Sequence, residues 1–264
     1  MTRDIFLVIG EQCKDVFIYG NCERFSPEAP VPVFNPVEVV DNLGMAGNVV
    51  SNFNAIIGKY GYKGDENYFG DTVASILSHG GMIKTRYVDK KSNHIFLRVD
   101  ENDSVRPLNI EGEFIADAIK NANAIVISDY HKGFLDDETI EWICEVGKDK
   151  MIFLDSKRYL TQEILSCVDF VKLNAVEYQN APNRLKILYD DKFIVTQGSK
   201  GAMYKGKLYP SNNPLQTIDV SGAGDTFLAA FVFKFVKTKD IAESIQFANE
   251  MAQIVVSKRG VSTI

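Results

Sequence analysis

The sequence has no cysteine pair spaced to grip a metal and no apolar run long enough to cross a bilayer. Its four cysteines, Cys13, Cys22, Cys144 and Cys167, are scattered without a C-x-x-C spacing, which excludes a zinc knuckle and gives no disulfide framework. Free thiols in a reducing compartment follow, and a cytoplasmic protein is expected. The histidines, His79, His94 and His131, stand apart from one another, so no histidine metal site is expected. The N-terminal run IFLVIG is short and no cleavage-site pattern follows it, so neither a membrane segment nor a leader is expected. A basic excess is missing too, since 29 Lys and Arg stand against 35 Asp and Glu for a formal net charge of -6. A general nucleic-acid binder needs the opposite balance.

What is present is ample apolar material, 45% of 264 residues, enough for one large α/β domain. IFLVIG reads as a strand buried on both faces. AIVISDY, MIFLDSK, FVKLNAVE and FIVTQGSKG are four further apolar strands, each ending in polar residues or glycine, with helices over 136–146 and 241–257. This alternation predicts a doubly wound sheet, which gathers Asp129, Lys132, Asp155, Lys157, Asn174, Glu177, Thr196 and Gly198 along one edge. Four prolines between residues 27 and 36 and the alternating Val31, Val33, Val37 and Val39 predict extended edge structure. A second segment, HIFLRVDENDSVRPLNI, has two β-type runs around a polar turn at 101–104. These two segments, about 16–40 and 92–110, are expected to pair into a small sheet that acts as a flap. A helix is expected over 48–58, behind Gly44 and Gly47, and another over 71–80, capped by Asp71.

The chemistry centres on TIDVSGAGDTFLAAF, residues 217–231. Gly222 and Gly224 permit close backbone approach, and an apolar helix follows whose first-turn amides suit an anion. Asp225 in that turn is placed to accept a proton from a substrate hydroxyl. On spacing alone, a glycine turn that merely caps a core helix is equally consistent. A dinucleotide fingerprint fits less well, because Phe227 stands where the third glycine belongs. GAMYKGKL matches G-x-x-x-x-G-K, but Leu208 replaces the required Ser or Thr, so a hairpin is predicted there. Asn174 and Glu177 suit either water-mediated magnesium binding or a capping box. Lys132 and Lys157 at strand ends fit a phosphorylated substrate better than a neutral one.

The chain resembles the ribokinase-like (PfkB) sugar kinases, whose D-T-x-G-A-G-D signature stands here as 219–225. RFSPEAPVPVF, ISDYHKG, LDSK, LNAVE and FANEMAQIVVSKRGVSTI follow in family order. The likeness is strongest to the branch acting on a heptose 7-phosphate. The resemblance implies a single ribokinase-like domain over 1–264, a three-layer αβα sandwich with a β lid. It implies ATP-dependent phosphoryl transfer to a sugar hydroxyl, with Asp225 as base and Gly222, Ala223 and Gly224 as the anion hole. Asp15, Arg24, Asn48, Lys132 and Lys157 would face the sugar phosphate. Asn174, Thr196, Gly198, Gly201 and Asn249 would lie beside ATP, Glu177 would hold Mg2+ through water, and Asp219 would mark a K+ region. A homodimer through the lid is a further implication. Met45 departs from the family's paired glycine. The stretch between Glu177 and Thr196 is short and the chain ends at Ile264, so an abbreviated nucleotide side, with no adenylyltransferase half, is expected. A kinase for an unphosphorylated sugar or nucleoside, or a weakly catalytic sugar- or nucleotide-binding protein, are the alternatives.

Overall fold

The computed structural model describes residues 3–61, 70–211 and 219–264. The chain runs β1 (Ile5–Gly10), β2 (Gln12–Phe25), β3 (Pro32–Met45), α1 (Ala46–Tyr60), β4 (Thr72–Leu77), β5 (Ile83–Asp89), β6 (Ile95–Glu101) and α2 (Glu113–Asn121). It continues through β7 (Ala124–Asp129), α3 (Asp137–Val146), β8 (Met151–Ser156), α4 (Gln162–Cys167), β9 (Phe170–Asn174), α5 (Ala175–Asn180) and α6 (Asn183–Leu188). The last elements are β10 (Phe193–Thr196), β11 (Ala202–Tyr204), β12 (Lys207–Tyr209), α7 (Ala223–Thr238) and α8 (Ile241–Val256).

An eight-stranded sheet has the order β12-β11-β10-β9-β8-β7-β1-β4. Strands β10 through β4 in that order are parallel, and β11 and β12 add an antiparallel hairpin. Because successive side chains point to opposite faces, β1 sends Leu7 and Ile9 into one core and Phe6 and Val8 into the other. Helices α2, α3, α4 and α6 cover the first face, and α1, α7 and α8 cover the second. This is the three-layer sandwich expected of a buried parallel sheet. The strand order reverses beside β1, which pairs with β4 on one side and β7 on the other. Ligands in such sheets bind at the carboxyl ends beside that reversal.

The smaller sheet has the order β3-β2-β5-β6 and forms the lid. It spans 12–45, wider than the expected 16–40, and 83–101, shifted towards the N-terminus from the expected 92–110. The hairpin that forms is β5–β6, closed through 90–94, whereas the run after the 101–104 turn is no strand. Val105 and Leu108 there donate their N–H groups to Lys132 and Phe134 carbonyls, at 2.9 and 2.7 Å. The reason is that β6 finds its partner in MIKTRYVD, whose charges conceal its alternation.

The helix expected over 71–80 is also corrected. Residues 72–77 are β4, paired in parallel with β1, since the free edge of β1 supplies a row of backbone partners along the whole segment. Asp71 caps nothing; it accepts the Asp4 N–H at 3.2 Å and pairs with Lys237. Residues 62–69 of the preceding stretch, and 217–218 at the start of the glycine segment, lie outside the described residues. The G-x-x-x-x-G-K segment is the predicted hairpin, turning at Lys205 and Gly206 with φ of 48° and 70°.

Candidate active site

Asp225 sits in the first turn of α7, whose position is fixed by aromatic packing. Phe231 and Phe235 of α7 meet Phe153 of β8 and Phe170 of β9, with ring centroids 4.9–6.3 Å apart. Gly222 precedes the helix in the left-handed region at φ 79°, and a Cβ there would lie 2.6 Å from Asn48 Nδ2. Only glycine fits both constraints. The Ala223 N–H makes a 3.3 Å bond to Val220 O, while those of Gly224 and Asp225 have no partner among the described residues. The helix therefore presents open donors and its positive end to the cleft.

The Asp225 carboxylate is 5% exposed and held on both oxygens. Tyr130 donates its hydroxyl to Oδ1 at 2.7 Å, and Asn48 donates Nδ2 to Oδ2 at 2.9 Å. Behind it, Asn52 donates to Asn48 Oδ1 at 3.0 Å and accepts from Thr226 Oγ1 at 3.1 Å. This chain ties α1 to α7. Burial pushes the Asp225 pKa up to about 6, against the opposing pull of the Asn48 bond, the Lys172 charge and the Tyr130 bond, with Asp155 adding to the rise. The Tyr130 phenol is itself raised well above its ordinary value, by burial first and by Asp225 next, so it stays a neutral donor.

Tyr130 is held in turn by Glu11, fully buried at the end of β1. Glu11 accepts the backbone N–H groups of Tyr130, Lys132 and Phe134 at 2.8–3.3 Å. Lys172 bonds Asp155 at 2.5 Å and lies under Gly224, where an added Cβ would come 3.0 Å from its ammonium. Lys157 reaches Glu177 at 2.5 Å and Asp155 at 3.6 Å. Although burial opposes ionisation of Asp155, Lys172 and Lys157 outweigh it and hold its pKa below the usual value.

Two adjoining cavities meet at Gly224. The larger, about 790 Å³, is lined by Tyr130, Lys157, Lys172, Asn174, Gly222 and Asp225 among others. The smaller, about 160 Å³, includes Thr196, Gly198, Gly201, Ala223 and Asn249. The structure thus brings together most of the residues singled out in the sequence. Asp15 lies in β2 on the lid and pairs with Arg86 at 2.5 Å. Lys132 is drawn to Asp103 at 2.5 Å. Arg24 is exposed near the far end of β2, roughly 30 Å along the strand from Asp15 at about 3.3 Å per residue. It is not brought to Asp225 within one chain. Met45 adopts φ 57°, so this departure from glycine occupies a left-handed position.

Asn174 and Glu177 form a complete capping box on α5, with Glu177 also bonded to Lys157. Among the described residues no three acidic, histidine or cysteine side chains gather into a metal cage. That donor set fits a magnesium ion carried on phosphates and water rather than one held by the chain. Asp219 accepts the N–H groups of Ser221 and Gly260 at 2.8 and 3.2 Å, joining the glycine turn to the C-terminal loop. Sequence reading missed Tyr130, Lys172, Asn52 and Thr226. The one legible signal was Lys172, a charge inside the otherwise apolar strand FVKLN.

A model of the pfkB family of carbohydrate kinases matches residues 82–264. The chain belongs to that family. The bifunctional protein HldE of Helicobacter pylori strain J99 is 32% identical over 96% of the chain and 63% of that relative. HldE of Campylobacter curvus is 32% identical over 97% and 62%. The chain spans less than two thirds of the length of these curated relatives. Among solved structures, Arabidopsis thaliana ribokinase complexed with ribose and ATP superposes with a TM-score of 0.68 at 16% identity, covering 98% of this chain and 94% of that one. Escherichia coli phosphofructokinase-2 in complex with potassium gives 0.69 at 15% identity, covering 99% and 94%. These likenesses establish the ribokinase-like fold. No helix among the described residues is long and apolar enough to cross a membrane.

Proposed function

We propose that the chain transfers the γ-phosphoryl group of ATP to a hydroxyl of a phosphorylated sugar, a heptose 7-phosphate. The observation that carries this reading is Asp225, buried and doubly hydrogen-bonded beside open helix amides where two cavities meet. The acceptor hydroxyl lies at Asp225 in the larger cavity, and the nucleotide lies along Thr196, Gly198, Gly201 and Asn249. As the hydroxyl oxygen bonds to phosphorus and the bond to the ADP oxygen breaks, the proton passes to Asp225. A pKa near 6 leaves this carboxylate ionised at neutral pH yet basic enough to share that proton. The amides of Gly224 and Asp225, backed by Lys172, neutralise charge on the transferring group. Asn174 and Glu177 would hold a nucleotide-borne magnesium ion through water, and the ion would supply further charge neutralisation. A potassium-type ion would act beside Asp219 and the C-terminal loop.

The HldE relatives support the heptose acceptor, and Lys157 supports an acidic one. The lid is also proposed to dimerise. By strand register, Val39, Leu97 and Val99 share its outer face, and all are exposed. In that assembly the free end of the lid, with Arg24, extends beyond its own cleft. The test is ADP release with ATP and a panel of sugars and sugar phosphates, with and without Mg2+. Magnesium-dependent turnover of a heptose 7-phosphate is expected, and indifference to every sugar would overturn the proposal.

A further inference from the structure

Lid and body share a small apolar core of their own. The chain crosses between them at the β1–β2, β3–α1, β4–β5 and β6–α2 connections, and each crossing supplies a residue. Cys13, Met45 and Met82, from the first three, are buried together, and Val105, from the last, packs against them. Backbone bonds tie the crossings to one another: Lys14 donates its N–H to Met82 O and Ala46 to Glu11 O, both at 2.8 Å. Tyr130 packs on the same cluster, lines the larger cavity and bonds Asp225 through its hydroxyl. One side chain thus connects the root of the lid with the base.

Met45 is the strained member of the cluster. It has φ 57° and ψ -135°, a backbone conformation that glycine adopts freely and a residue with a side chain does not. Such strain persists only where the surroundings over-determine it. Here Met45 ends β3 in register with Gln12 of β2, and the next N–H along the chain is the one bonded to Glu11. Its side chain is packed to 4% exposure, a thioether filling the irregular gap where the crossings meet. Met45 lines neither of the two cavities, so its contact is with the cluster and not with a ligand.

We propose that Met45 is a positioning residue: packed with Cys13 and Met82, its side chain braces Tyr130 so that the tyrosine hydroxyl is held on Asp225 while the lid is seated on the body. This rests on the kinase reading above, with Asp225 as the base. A lid that lifts carries β2, β3 and β5 with it and draws the cluster off Tyr130. The base is then tuned for proton transfer only over an enclosed acceptor, which keeps water from taking the phosphoryl group through an open site.

Asp225 is faced by Asn48, Lys172, Tyr130, Asp155 and Lys157, and Tyr130 is the one that packs on the cluster. The test is therefore the acid limb of kcat/KM for D-glycero-D-manno-heptose 7-phosphate. Met45→Gly relieves the backbone but removes the brace; the limb moves up, and activity falls by about two- to five-fold at pH 6 and almost not at all at about pH 9. Met45→Leu refills the volume and keeps the wild-type limb. In Met45→Gly/Tyr130→Phe the limb coincides with that of Tyr130→Phe alone, since no hydroxyl is left to misplace. An ADP-induced melting shift equal to wild type shows that each variant is folded. A wild-type limb in Met45→Gly, a limb displaced as far by Met45→Leu, or a further shift in the double variant overturns the role of Met45 alone. A limb that Tyr130→Phe itself leaves in place overturns the tuning of the base, and wild type turning over no sugar phosphate overturns the kinase reading; this inference falls with either.

Discussion

Replacing Tyr130 by phenylalanine removes one hydroxyl and, with it, one of the two hydrogen bonds on Asp225. The O–H stabilises the ionised carboxylate, so its loss must raise the Asp225 pKa. A hydrogen bond to a charged group contributes about 1.5–3 kcal/mol, and one pKa unit is about 1.36 kcal/mol, which brackets the rise at roughly one to two units. Asn48 and Lys172 remain, and water or the acceptor hydroxyl can occupy the vacated side, so the lower end, about one unit, is expected. The base must be ionised to accept a proton. The acid limb of kcat/KM therefore moves from about pH 6 to about pH 7. In practice Tyr130→Phe loses about five-fold in kcat/KM at pH 6 from protonation alone and almost nothing from it at about pH 9. A coupled ADP-release assay over this range reads the profile. An acid limb that stays at its wild-type position, or a loss equal at every pH, would refute the claim that Tyr130 tunes the base.

Two further outcomes follow from the same geometry. A carboxyl whose pKa is raised by folding opposes the fold when ionised: the penalty is absent below the unfolded value of 3.8, grows with rising pH and is complete above about 6. Asp225→Asn removes up to about 3 kcal/mol of penalty at neutral pH, less what is lost because one amide oxygen must serve two donors. Calorimetry should show a melting temperature several degrees above wild type at neutral pH, with the gap closing towards pH 4; a constant gap would contradict burial as its cause. Gly222→Ala forces a Cβ against Asn48 at a left-handed backbone position, costing about 1–3 kcal/mol and loosening Asn48 from Asp225. Urea unfolding and kcat should fall together, and an active, equally stable variant would count against the tight turn.

How legible the molecule was in its sequence depended on where its signals lay. The parallel sheet could be read because IFLVIG, AIVISD and MIFLDS are short apolar runs ending in polar residues, as doubly buried strands require. β4 and β5 could not, since TVASIL has a helix-compatible spacing and IKTRYVD carries its charges on the face that looks into the site. The base and its glycine turn were visible as a motif, but their physical support was not. Tyr130 and Asn48 come from separate elements and meet Asp225, with Glu11 holding the Tyr130 backbone, only after β1, β7 and α1 have packed. Lys172 is the instructive intermediate, because its position inside a buried strand advertised a partner without naming Asp155. At Asn174 and Glu177 the capping box forms, with Asn174 lining the larger cavity and Glu177 bonded to Lys157.

The most direct test of the account is phosphoryl transfer from ATP to a heptose 7-phosphate by the wild-type chain and by Asp225→Asn, measured side by side with nucleotide binding. The account predicts that the variant binds ATP as wild type does but loses on the order of 10²-fold or more in kcat. Turnover by Asp225→Asn close to that of wild type would contradict it.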